Sequence, residues 1–284
     1  MYQRVVIATD LSATTAPLLG AIPDLYRLGT REVTLVCVLE PGIFKRKDSE
    51  RRADYERRLG QLADRLRGEG REVHTEVAEG FSVQQILSVA KQRNAGLVLV
   101  GSRGYSMLHD VFVGSTLTGL LQNAELPVLV KHLAADGEGN ETGEPGRLLR
   151  SVVMATDLSV AASAAEEAVL GLAPYAARVM LLSVMEQQGE DSGDAEALRQ
   201  RLEALAEQCR KAGAAEVDVR LTEGHPASAV IRDVAHERDA SLVIVGKHGY
   251  QGFRNNVMGR TTSKLARESE RHVLMVPARK PGVR

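Results

Sequence analysis

The sequence has almost no net charge, no long apolar run and only two cysteines, and each shortage removes a class of protein. A formal charge of −1 supplies no field for displacing the counterions of a nucleic-acid backbone. The basic residues are also interleaved with acidic ones along the helical stretches, so no nucleic-acid partner is expected. No segment reaches the ~18 consecutive apolar residues of a membrane helix. The N-terminus runs into Val5-Val6-Ile7-Ala8 with no basic segment ahead of an extended apolar one, so the chain reads as cytoplasmic, without membrane insertion. Cys37 sits in the apolar run Leu35-Val36-Cys37-Val38 and Cys209 on a charged helical pattern. Neither has a C-x2-C partner, which leaves zinc and dithiol chemistry without a basis, and both read as small hydrophobes.

The familiar catalytic patterns are missing as well. His74, His109, His132, His225, His236, His248 and His272 are scattered without H-x3-H or H-x-H spacing and read as surface or packing residues. No lysine stands in a G-x4-G-K-S/T loop, which removes P-loop hydrolysis. Ala8-Thr9-Asp10-Leu11-Ser12 does not resemble the SGGxDS loop of α/β enzymes that cleave ATP between its α- and β-phosphates. No catalytic residue and no metal ligand is assigned.

What is present is a chain written twice. At 44% hydrophobic and 26% charged residues, the composition is that of a globular protein with apolar side chains for one or two cores. Val6-Ile7-Ala8-Thr9-Asp10-Leu11-Ser12 returns as Val153-Met154-Ala155-Thr156-Asp157-Leu158-Ser159. Glu79-Gly80 returns as Glu223-Gly224, and Leu97-Val98-Leu99-Val100-Gly101 as Leu242-Val243-Ile244-Val245-Gly246, in the same order and at nearly the same offset. Such anchors mark a duplication. Ala134 to Gly146, AADGEGNETGEPG, is rich in Gly and Glu without apolar periodicity and reads as a linker. The division expected is a first domain over 1–133, a linker over 134–147 and a second domain over 148–284. The linker is short enough that the domains are expected to pack together.

Within the first copy, apolar runs at Val5–Ala8, Val33–Leu39, Leu97–Val100 and Val128–Val130 predict strands buried on both faces, with a more alternating strand at Val73–Val77. Helical patterns occupy Thr14–Leu28, Ser49–Gly68, Ser82–Asn94 and Ser115–Asn123, and the second copy follows the same order. Strand and helix in alternation imply parallel pairing, so the fold class is α/β, with two tandem doubly wound domains, each a Rossmann-like five-stranded parallel sheet flanked by helices. Ligands of such sheets lie beyond the carboxyl ends of the strands, where the strand order reverses.

The strongest local signal sits at that place. Gly101-Ser102-Arg103-Gly104 ends the fourth strand, and nine residues later come Gly114-Ser115-Thr116. Glycines let backbone N–H groups approach a ligand without a Cβ in the way. A helix opening at Ser115 offers free N–H groups, a positive dipole end and hydroxyls to a phosphate. The plainer alternative is a turn followed by an N-cap. Asp10 and Asp157 follow the first strand of each copy, where a carboxylate accepts from a ribose hydroxyl or an adenine amino group, or else caps the next helix with Ser12 or Ser159. Val38 is placed to line an adenine pocket or to be core.

These residues give the chain its resemblance to the universal stress protein family, whose nucleotide motif is G-x2-G-x9-G-(S/T). Gly101, Gly104, Gly114 and Ser115 match it completely. The resemblance implies that the adenosine of ATP is held at Ala8, Thr9, Asp10 and Val38, and the phosphates, with Mg2+, at Gly101, Arg103, Gly104, Gly114, Ser115 and Thr116. In the second copy Asp157, Gly246, Gly249 and Gly259 keep the pattern, but Arg260 stands where the family has Ser or Thr, with Thr261 and Thr262 after it. A cation at a helix N-terminus is unfavourable unless an anion joins it, so Arg260 grips a phosphate, blocks the pocket or turns outward. Lys247 and His248 add positive charge beside it. The family's fifth strands pair, which implies pairing of the two domains within the chain through Val128–Val130 and Val273–Val276, and leaves a homodimer of whole chains open. Three functions follow as alternatives. They are an ATP-dependent regulatory module read by a protein partner, a slow ATPase or nucleotidyl-transfer enzyme using Asp10, Arg103 and Mg2+, and a nucleotide-free scaffold presenting Tyr105, Met107, Leu108, Val111, Phe112 and Val113.

Overall fold

The computed structural model describes residues 1–40, 48–67, 71–102, 115–133, 147–185, 192–249 and 258–279. The chain divides into two compact units, Met1–Glu144 and Pro145–Arg284. The glycine loop residues Arg103, Gly104 and Gly114, the apolar segment from Tyr105 to Val113 and the linker from Ala134 to Gly146 lie outside the described residues.

The first unit runs β1 (Arg4–Ala8), α1 (Thr15–Leu19), α2 (Ile22–Arg27), β2 (Glu32–Leu39), α3 (Asp48–Leu66), β3 (Glu72–Glu79), α4 (Ser82–Gln92), β4 (Leu97–Gly101), α5 (Ser115–Asn123) and β5 (Val128–Lys131). All of its strand pairs are parallel, in the order β3-β2-β1-β4-β5. The chain steps outward from β1 to β2 and β3 on one side, then returns to place β4 on the other. The order therefore reverses between β1 and β4, and Ala8 lies in register with both Val36 and Val100. Residues 5–8 of β1 and 97–100 of β4 are buried without interruption, as parallel strands covered on both faces must be. In β3 burial is largely confined to Val73 and Val77, which matches its alternating sequence and its place at the end of the order.

The second unit repeats the scheme with β6 (Ser151–Ala155), α6 (Ser163–Leu172), β7 (Arg178–Met185), α7 (Ser192–Ala212), β8 (Val217–Glu223), α8 (Ala227–Glu237), β9 (Leu242–Gly246), α9 (Arg260–Glu268) and β10 (His272–Val276). Its parallel order is β8-β7-β6-β9-β10, and β6 and β9 meet at Ala155 and Val245. Helix faces repeat too. Ile86, Val89 and Ala90 of α4 and Ile231, Val234 and Ala235 of α8 are the buried i, i+3, i+4 sets. Both helices close on a left-handed residue, Asn94 at φ 49° and Asp239 at φ 45°, whose successors, Ala95 and Ala240, donate back to Ala90 and Ala235 at 2.8 Å.

One predicted element is corrected. The helix expected over Thr14–Leu28 is two short helices, α1 and α2. Pro23 at the start of α2 has no N–H to continue a ladder, and the chain tightens before it, with Gly20 N–H donating to Pro17 O at 3.1 Å and Ala21 N–H to Leu18 O at 3.4 Å. In the second unit the same stretch is a 3-10 turn over Val160–Ala162, the helix α6, and a second 3-10 turn over Ala173–Tyr175 that contains Pro174.

The helices α4 and α5 approach closely at Gly119, where a Cβ would stand 2.6 Å from Val83 Cγ2. A valine in a helix has one strongly preferred rotamer, so the methyl cannot turn away freely. Gly119→Ala is expected to destabilise the first unit by about 1–3 kcal/mol, read as a lower urea midpoint by circular dichroism.

Candidate functional site

In the first unit the site begins where β1 stops. Thr9 Oγ1 accepts the Leu11 N–H at 3.1 Å and exchanges a hydrogen bond with Thr15 Oγ1 at 2.8 Å, while Asp10 Oδ1 accepts the Ser12 N–H at 3.0 Å. These short bonds close a tight turn that holds buried Leu11 at φ 59°, a left-handed conformation that costs a non-glycine residue about 1–2 kcal/mol. The Leu11 carbonyl accepts a hydrogen bond from the Arg58 guanidinium of α3. Asp10 thus braces its own turn, whereas the N-cap of α1 is Thr14, without a side-chain cap. The second carboxylate oxygen, Asp10 Oδ2, is buried and has no hydrogen-bond partner among the described residues.

Around this turn stand the ends of the neighbouring strands. Half-buried Val38 and buried Cys37 lie on β2, whose Val36 O accepts the Thr9 N–H at 2.9 Å. Gly101 ends β4 in register with Lys131 of β5. Ser102 donates its N–H to Lys131 O at 2.9 Å and accepts the Leu133 N–H on Oγ at 3.1 Å. The Lys131 side chain is buried, its Nζ 3.1 Å from where a Cβ of Gly20 would stand. Helix α5 begins with exposed Ser115 and half-buried Thr116.

The second unit builds the same turn. Thr156 Oγ1 accepts the Leu158 N–H at 2.9 Å and donates to Glu166 Oε1 at 3.0 Å, and Asp157 Oδ1 accepts the Ser159 N–H at 3.0 Å. Leu158 has φ 53°, and its carbonyl accepts from Arg201 of α7. Here the buried side-chain atom without a partner among the described residues is Ser159 Oγ, and Asp157 is exposed. Gly249 stands against Asp157, and Gly259 against Gly249. A Cβ on Gly249 would meet Asp157 Oδ2 at 3.0 Å, and one on Gly259 would stand 3.8 Å from Gly249 N. The Gly259 N–H donates to Lys247 O at 2.9 Å and Thr262 Oγ1 to Gly246 O at 2.7 Å, which ties the start of α9 to the end of β9. Lys247 and His248 are buried, Thr261 is half-buried, and Arg260 is exposed at the first position of α9.

Sequence reasoning missed Arg58 and Arg201, which look like any solvated arginine on a charged helix, and Lys131, which looks like a strand-ending lysine. The described residues that bring possible metal ligands together are Glu32, Glu72 and His74, within 4.8 Å of one another. They lie at the amino ends of β2 and β3, away from Asp10, and Glu32 is already paired with Arg4 at 3.2 Å. Among the described residues no helix is long and apolar enough to cross a membrane.

A family model described as the universal stress protein family matches residues 1–132 and 149–277. A universal stress protein of Mycolicibacterium smegmatis is 27% identical over 217 residues, 74% of this chain and 70% of that protein. One from Methanocaldococcus jannaschii is 24% identical over 145 residues, 46% of this chain and 82% of its own length. The crystal structure of a universal stress protein from Archaeoglobus fulgidus superposes with a TM-score of 0.75 at 20% identity, covering 97% of this chain and 96% of that one. At that identity it shows the fold.

Beside the first turn, burial pushes the Cys37 thiol up to about 12, with the Asp10 carboxylate adding to the rise and Arg58 opposing it. Burial likewise takes Cys209 up to about 11. A thiol in unfolded chain ionises at ~8.5, so the folded protein binds more protons than the unfolded one above that pH, and stability falls as pH rises from about 8.5. Ellman's reagent at pH 8 is expected to leave both thiols unmodified in the native protein over the time in which it titrates both in denaturant.

Proposed function

Since this chain belongs to the universal stress protein family in both of its halves, we propose that it is an ATP-binding regulatory module of the cytoplasm. The observation that carries this is Asp10 Oδ2, a buried carboxylate oxygen without a partner among the described residues, at the point where the strand order reverses. Leaving such an oxygen unsatisfied costs about 1–3 kcal/mol, which a ribose hydroxyl or an adenine amino group recovers by donating to it. Ala8, Thr9 and Val38 frame the adenosine end in this reading. Gly101, Arg103, Gly104, Gly114, Ser115 and Thr116 form the phosphate end, where Mg2+ accompanies ATP as counter-ion and a helix N-terminus favours the anion.

The second domain holds its nucleotide differently. Asp157 rests against Gly249, and Gly246, Gly259, Thr261 and the cations Lys247 and Arg260 give it a more positive phosphate end without the family's Ser or Thr. Regulation follows from linkage, because ATP shifts an equilibrium between two conformations only by binding one of them more tightly, and a partner protein reads the favoured one.

Native mass spectrometry of the purified chain, with chromatography of the small molecules it releases and calorimetry with Mg-ATP, tests this. ATP is expected in the first domain. Asp10→Ala is expected to weaken that site at least about tenfold, the equivalent of about 1.4 kcal/mol, while Asp157→Ala leaves it unchanged. A chain that carries no nucleotide and binds none on addition of Mg-ATP overturns the proposal.

A further inference from the structure

The turns after β1 and β6 share a feature that the glycine motif does not contain. Leu11 and Leu158 are held in the left-handed region, at φ 59° and 53°, and such a conformation persists only where its surroundings impose it. Two of the bonds that impose it come from the turn itself, through Thr9 and Asp10 or Thr156 and Asp157. The third comes from elsewhere in the chain. Arg58 reaches the Leu11 carbonyl from α3, and Arg201 reaches the Leu158 carbonyl from α7.

The two arginines occupy one position on their helices. Each directly precedes a fully buried leucine, Leu59 or Leu202, and each is followed on the same buried stripe by Ala63 or Ala206. Around them the helices have diverged, with Gly60-Gln61 in α3 standing where α7 has Glu203-Ala204. The arginine and its bond to the leucine carbonyl are present in both copies of the duplication, although these neighbouring positions differ. Arg58 and Asp10 each lie near enough to Cys37 for their charges to act on its thiol.

We propose that Arg58 and Arg201 are positioning residues that fix the turn after the first strand of each domain, and so aim the Asp10 and Asp157 carboxylates at the ligand. The ligand half of this inference rests on the nucleotide reading above. The arginine acts through the turn, since its hydrogen bond goes to the Leu carbonyl, and the guanidinium is suited to the task because it stays charged and its donors are fixed in a plane.

The test uses the full chain with Arg58→Met, which keeps an apolar stem and removes the donors, and Arg58→Lys, which restores one. In the nucleotide-free protein, amide hydrogen exchange at Leu11 and Ser12 is expected to accelerate about tenfold in Arg58→Met and to return most of the way in Arg58→Lys. ATP affinity at the first site is expected to fall about tenfold in Arg58→Met, with the same partial rescue. Far-UV circular dichroism and the thermal midpoint should stay close to those of the unmodified chain. Unchanged exchange in Arg58→Met overturns the positioning role even if ATP binds. Faster exchange in a chain that binds no ATP upholds the clamp and discards the nucleotide reading. A general loss of thermal stability that lysine does not rescue makes Arg58 a packing residue and overturns the proposal.

Discussion

The arrangement depends on the parallel pairing of β1 with both β2 and β4. A central parallel strand buried on two faces has its backbone groups committed to its neighbours, so donors and acceptors become free where it leaves the sheet, as at its carboxyl end. In each unit the reversal of strand order brings two such ends together. That places Asp10 near Gly101, and Asp157 near Gly246, without any long-range side-chain contact to arrange it. The short side-chain bonds of the Thr-Asp-Leu-Ser turn, together with the arginine on its leucine carbonyl, then set how the carboxylate stands.

The repeat shows which of these details the fold itself requires. Strand order, the left-handed leucine and the arginine on its carbonyl appear in both units. The buried atom of the turn that has no partner among the described residues does not, being a carboxylate oxygen in one and a serine hydroxyl in the other. A carboxylate oxygen can only accept, whereas a hydroxyl both donates and accepts. The two domains share a scaffold and present different hydrogen-bonding demands.

Much of this was legible in the sequence. Unbroken apolar runs located the buried strands to within a residue or two, and Ser115–Asn123 is a helix with those bounds. Of the glycines of the second motif, Gly249 stands against Asp157, and Gly259 against Gly249. The break between α1 and α2 was less legible, because apolar spacing continues across Gly20 and only Pro23 signals the interruption. Arg58 escaped because its partner lies 47 positions away on an element whose own pattern is that of a solvated helix. Lys131 escaped because a lysine after an apolar run normally marks the return to water, and here its side chain is buried beside Gly20.

The strand order also has a consequence for biosynthesis. The pairings β3-β2, β2-β1, β1-β4 and β4-β5 all lie upstream of residue 132, so the first sheet has its complete set of these partners while the second half of the message is still being translated. At ~5–20 residues per second β6 follows within a few seconds and the last strand of the look-alike, β10, on the order of ten seconds later, so the earlier half has all of its partners before the later half has all of its own. Vectorial synthesis thereby separates in time two sequences similar enough to exchange strands if they were released together.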